Sequence, residues 1–254
     1  MIATDRHLAE QFHHDRQADE RAADFRRRRD DLLFADDWYL DHESWIRPAI
    51  ARLGDVRDKR ILDYGCGHGM AAVVLARRGA RITGFDLSAG YVAEAQARAW
   101  ANGVAVDFTQ ADAEELPFPD ASFDAVWGSA ILHHLDLKRA GRELHRILKP
   151  DGVAVFCEPW GENRLLRLAR RWIPYPGKDR TADERPLRDH DLAPLRAFFP
   201  VVEVQGFQLL GMARRLWKRE SRCGGWLDRW DGWLLRQFPR LKKWCRYVVL
   251  TLLR

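Results

Sequence analysis

The sequence has no apolar stretch approaching the ~20 residues that a membrane-crossing helix needs. Its first residues, MIATDRHLAEQFHHDRQ, hold no apolar leader core, so export is not expected. They are also too acidic for an ordinary transit peptide. Cysteine is scarce: Cys66, Cys157, Cys223 and Cys245 lie far apart and form no CxxC pair. Free thiols in a reducing, cytoplasmic compartment are expected, not a disulfide frame. No metal site is expected. His13-His14 and His133-His134 are adjacent pairs, without the i, i+4 spacing or cysteine companions that zinc wants. No internal repeat or low-complexity linker breaks the chain.

What is present is a rhythm. From Arg60, apolar runs closed by Gly, Asp or Ser alternate with helical patterns: RILDYG, MAAVVLARRG, RITGFDLS, GYVAEAQARAWANG, VAVDFTQAD, SFDAVWGS, LKRAGRELHRILKPDG and VAVFCEP. Such alternation predicts a parallel sheet with helices on both faces. VVEVQGFQLL predicts a sixth strand and CRYVVLTLL a seventh. Ser88 is placed to cap one helix, and Asn102-Gly103 to stop it. Residues 1–52 predict a helical cap. Its first part is solvated, with Arg26 to Arg29 flanked by acids, and its second part is aromatic (DDWYLDHESWIRPAIARLG). The main domain is expected over 53–254, with an insertion at 211–244 between the last two strands.

The loop GCGHG follows the first strand, where open α/β sheets bind ligands. It is not the dinucleotide fingerprint, because Met70 stands where GxGxxG needs its third glycine. It has no Lys-Ser/Thr, so it is not a phosphate-cradling P-loop. Asp63 precedes the loop, and a carboxylate there suits a cationic ligand. Asp86 ends the second strand, 21 residues after Gly65, where an acid can accept both ribose hydroxyls. Asp112 ends the third, where its carboxylate can accept from an adenine amine while the Ala113 N–H donates to a ring nitrogen. A cationic adenosine ligand without phosphates points to S-adenosylmethionine. Each acid has a plainer role open to it as a turn former or helix cap.

The ordered set ILDYGCGHG, GFDLS, QADAEELPFPDASFDAVWGSAILHHL and RELHRILKPDGVAVFCEP, residues 60–159, resembles class I S-adenosylmethionine-dependent methyltransferases. The likeness is to their ubiquinone-biosynthesis-like, small-molecule group. It implies a Rossmann-like α/β fold: a seven-stranded, mostly parallel sheet whose last strand is antiparallel. Here a helical N-terminal lid and a helical insertion are added. It also implies a cofactor set of Asp63, Gly65, Cys66, Gly67, Asp86, Leu87, Asp112, Ala113 and Ser129, with S-adenosylhomocysteine as product. His68 departs from the small hydroxyl residue frequent in that family.

Methyl transfer mainly needs alignment, and a base only when the acceptor must lose a proton. His133, His134 and Glu158 are the candidate catalytic residues, since histidine titrates near neutrality. Adjacent histidines point apart, so one at most is expected to face the pocket, and the other reading is a loop scaffold. Glu158 could instead cap the helix near Asn163. His42 could reach in from the cap, and Trp38 and Tyr39 could wall off water.

Charge is uneven. Residues 211–246 carry eleven Lys/Arg against three Asp/Glu, while the whole chain is only +5. Trp226, Leu227, Trp230, Trp233, Leu234 and Phe238 form one helical face there. That face suits either a lid on the acceptor pocket or an anionic membrane surface. Nucleic acid is disfavoured, because WGSA replaces the Asp/Asn-Pro-Pro-aromatic signature of amino-methylating enzymes, and no Pro-Cys nucleophile appears. The leading expectation is methylation of a small, hydrophobic acceptor at oxygen, nitrogen or carbon. A fold-retaining peripheral membrane protein without turnover, and an RNA methyltransferase, are the alternatives.

Overall fold

The computed structural model describes residues 10–18, 32–172, 185–216 and 224–254. The Arg26–Arg29 run, Trp217 and Cys223 lie outside these residues. Seven strands form one sheet: β1 (Arg60–Tyr64), β2 (Arg81–Asp86), β3 (Asp107–Gln110), β4 (Phe123–Ser129), β5 (Leu148–Pro159), β6 (Val201–Phe207) and β7 (Tyr247–Leu253). Their order is β3-β2-β1-β4-β5-β7-β6. Strands β1 to β5 pair in parallel, and β7 runs antiparallel between β5 and β6. This is the topology implied by the resemblance. The reversal of order between β1 and β4 opens a crevice at the carboxyl ends of the strands.

Helices cover both faces. They are α1 (residues 10–18), α2 (Asp36–Leu40), α3 (Ile46–Ala51), α4 (Met70–Arg77), α5 (Ala89–Ala101), α6 (Leu137–Ile147), α7 (Arg164–Trp172), α8 (Ala193–Phe198) and α9 (Gly224–Gln237). The period-two strand pattern divides the core. Leu62, Tyr64, Phe156 and Leu250 pack beneath Leu144, Ile147 and Leu195 of α6 and α8. Ile61, Trp127, Val155 and Val249 pack beneath Ile46, Ile50 and Leu75 of α3 and α4.

The described residues of the N-terminal 52 play two parts. Leu40, Trp45, Ile46, Ala49, Ile50 and Leu53 belong to the core, and Trp45 stacks on Tyr247 of β7 at 4.0 Å. Helix α1 is instead held by polar contacts to the start of α5. Asp15 accepts from the Ser88 hydroxyl and from the Gly90 N–H (3.2 Å), and Tyr91 donates to Gln17 (2.8 Å). Ser88 caps α5 by accepting the Tyr91 N–H at 3.1 Å.

Candidate active site

The glycine loop leaves β1 in conformations that L side chains avoid. Gly65 has φ +70°, and a Cβ there would sit 2.9 Å from the Ile131 side chain. The bare backbone therefore lets the β4 exit close over the loop. Asp86 Oδ2 accepts the Gly67 N–H at 2.9 Å and Oδ1 accepts the Ser88 N–H at 3.0 Å. One carboxylate thus links the loop to the end of β2, and its free lone pairs can still accept.

These elements surround a cavity of about 380 Å³ at the carboxyl ends of β1, β2 and β4. All nine residues of the expected cofactor set line it: Asp63, Gly65, Cys66, Gly67, Asp86, Leu87, Asp112, Ala113 and Ser129. Glu10, Asp63, Asp86 and Asp112 bring four carboxyl groups to the wall, and among the described residues no Lys or Arg joins them. Burial pushes the Asp63 carboxyl up to about 7, against the pull of the Ala72 N–H that it accepts, and the Asp86 charge adds to the rise. Burial also raises Asp86, partly offset by the N–H groups of Ser88 and Gly67. Buried carboxylates raised in this way favour a cation beside them.

Near this wall, His68 is tied back to α5. Its Nδ1 lies 3.1 Å from Glu94, which also accepts from Arg98 at 2.9 Å. Burial would raise Glu94, but these two partners outweigh it and hold the carboxyl down at about 2. His68 thereby helps to set the loop.

The three catalytic candidates separate. Glu158 is fully buried and lines neither this cavity nor its neighbour. Its Oε1 accepts the N–H groups of Ile131 and Leu132 at 2.9 and 2.8 Å, and His133 Nδ1 lies 2.8 Å from its Oε2. Glu158 is thus the post that holds the loop after β4, not a group that reaches an acceptor. It does not cap α7; Asn163 does so by accepting from Leu165 and Leu166. His133 faces only the neighbouring cavity, whereas His134 lines both. Tyr39 lines the first cavity, but Trp38 is exposed and His42 packs against Trp38 rather than reaching inward.

The neighbouring cavity, about 460 Å³, shares Glu10, His134 and Leu135 with the first and is walled by Leu132, Leu137, Leu187 and Pro194. Arg185 in its rim is paired with Asp191 at 2.7 Å. Sequence reasoning missed the contribution of α1. Glu10 and His14, one helical turn apart, both line the first cavity. Their i, i+4 spacing was the available signal. Among the described residues of 211–244, none lines either cavity.

Residues 62–156 match the model of Methyltransf_11, a methyltransferase domain. The match takes in β1 to β5 and the crevice at their carboxyl ends. It contains the glycine loop, Asp86, Asp112 and the His133-His134 pair. The chain is 36% identical over 138 residues to a malonyl-[acyl-carrier protein] O-methyltransferase of Enterobacter lignolyticus, covering 54% of this chain and 50% of that protein. It is 39% identical over 117 residues to a demethylmenaquinone methyltransferase of Thermus thermophilus, covering 45% and 53%. The chain thus spans about half the length of these curated relatives. Among solved structures, an S-adenosylmethionine-dependent methyltransferase from Mesorhizobium loti superposes with TM-score 0.56 at 23% identity, covering 85% of this chain and 100% of that one. The sheet and the helices that flank it share that fold.

Proposed function

We propose that the protein transfers a methyl group from S-adenosylmethionine to a small, hydrophobic acceptor and yields S-adenosylhomocysteine. The observation that carries this reading is the cavity wall, with four carboxyl groups and no described Lys or Arg beside a bare glycine loop. Such a wall fits a cationic nucleoside without phosphates. S-adenosylmethionine supplies an electrophilic methyl on a sulfonium, so the chain's work is binding and alignment. Asp86 would accept from ribose hydroxyls, Asp112 from the adenine amine, and the Ala113 N–H would donate to the ring. Gly65, Cys66 and Gly67 would admit the aminoacyl end, near Asp63, while Leu87 and Ser129 complete the enclosure.

The neighbouring cavity, with a leucine wall facing His133, Arg185, His190 and Asp191, would take the acceptor. His134, at the junction of the two, would receive a proton from an acceptor that must lose one. Helix α1 would act as the lid, presenting Glu10 at 3.4 Å from His134. We place the protein in the cytoplasm, held peripherally at an anionic membrane through 211–244. No described helix is long and apolar enough to cross that membrane.

Calorimetry tests the reading. S-adenosylhomocysteine should bind, and Asp86→Ala should weaken it at least about tenfold, since charge-assisted bonds carry ~1.5–3 kcal/mol. Absence of binding by either cofactor form, or an unchanged Asp86→Ala, refutes it. Methyl-labelled cofactor incubated with lipid extract should put label in the organic phase; label in RNA would instead support the nucleic-acid alternative.

A further inference from the structure

Helix α9 is turned the opposite way from an ordinary surface helix. Among its described residues, the buried one is an acid. Asp231 is 4% exposed and accepts the backbone N–H groups of Leu209, Leu210 and Gly211 at 3.0, 2.7 and 3.0 Å. Those three N–H groups belong to the chain leaving β6, so the carboxylate fixes the rotation of the helix. Trp226, Trp230 and Trp233 are thereby turned outward, with 51%, 52% and 45% of their surfaces exposed, and Phe238 follows at 56%. Trp230 and Trp233 meet edge to face at 5.7 Å, and Arg229 lies among the three indoles. Arg236 and Arg240, farther along the same basic segment, are exposed, and Lys243 extends over Trp244.

A second basic helix, α7, starts beside Trp244, past the end of α9. Asn163, at the head of α7, donates to the Trp244 carbonyl at 2.6 Å. Helix α7 presents Arg164, Leu165 and Leu168, the leucines 67% and 56% exposed. Both helices follow strands that end at the same edge of the sheet as the cavity.

From this arrangement we infer that the indole face of α9 is a docking surface for an anionic lipid bilayer. Contiguous exposed aromatics mark an interaction site. Indoles with a cationic rim match the interface between acyl chains and anionic headgroups. A second copy of the chain would bring two strongly basic segments together, which opposes self-association. This extends the peripheral placement proposed for the protein to a defined surface, and cofactor calorimetry remains an independent readout of methyl-transfer competence. Docking there turns the cavity edge toward the bilayer, from which a hydrophobic acceptor would enter.

The test uses the full chain with phosphatidylcholine vesicles, with and without phosphatidylglycerol. Co-sedimentation should require the anionic lipid and fall with salt, by about fivefold for each basic side chain removed near the surface. The double variant Trp226→Glu, Trp230→Glu should bind about tenfold or more weakly while keeping wild-type circular dichroism and cofactor affinity. Brominated lipid should quench the wild-type tryptophan fluorescence, a measurement that needs no variant. The proposal is overturned if the wild type stays in the supernatant with anionic vesicles, or if the double variant sediments equally. It is also overturned if the same tryptophans support RNA binding or dimerisation without vesicle binding.

Discussion

Asp63→Asn should make the protein without cofactor more stable and worse at binding. Asp63 is 2% exposed, and burial lifts its carboxyl from 3.8 to about 7. The folded state therefore holds a proton that the unfolded chain releases above pH ~4. Stability from this group is complete at low pH and is lost as pH rises to about 7. At ~1.4 kcal/mol per pH unit, the ceiling is about 4 kcal/mol, of which about 2.5 kcal/mol develops between roughly pH 5 and pH 8. Asparagine has the same shape, still offers an oxygen to the Ala72 N–H, and carries no charge to desolvate. Urea unfolding of both proteins should thus give a difference that favours the variant and widens toward alkaline pH. Calorimetry should show weaker cofactor binding by the variant. A stability difference that is flat with pH, or one that favours the wild type at pH ~8, would refute the reasoning.

Other expectations concern the loop and the histidines. Gly69 starts α4 at φ +73°, and a Cβ there would lie 2.9 Å from the Ala95 Cα, a backbone atom. Gly69→Ala should cost about 1–3 kcal/mol in denaturant unfolding and weaken cofactor binding by displacing the loop. Glu158→Gln and His134→Ala should fail differently. The first weakens a charge-assisted contact with His133 and should lower stability by about 1.5–3 kcal/mol. The second should leave stability and cofactor affinity near wild type while lowering turnover about a hundredfold for an acceptor that must be deprotonated. Wild-type turnover in His134→Ala would remove it as the proton acceptor.

The central sheet was legible because its signals are local. Strands closed by Gly65, Asp86 and Ser129 carry their own stop residues, and the crevice position follows from topology alone. The nine expected cofactor residues meet at one cavity for that reason. The roles of His133, His134 and Glu158 were not legible. They depend on which side chain Glu158 meets across β4 and β5, a tertiary fact. Periodicity likewise revealed the tryptophan stripe of α9 but not its direction, because an apolar face is ordinarily the buried one. Asp231 reverses that through three backbone N–H groups distant in sequence. The cap was legible as helical, but the place of α1 at the cavity was not, because Asp15 and Gln17 rather than an apolar stripe dock it.

The position of β7 sets the order in which the chain can assemble. Within the sheet β6 pairs with β7 alone, and β7 is wedged between β6 and β5. During synthesis β6 emerges first and must wait, its edge unpaired, while the basic tryptophan segment is made. Closing that long loop is an entropic toll levied before any pairing is gained, so this flank should be the slow part of folding and the one most in need of a chaperone.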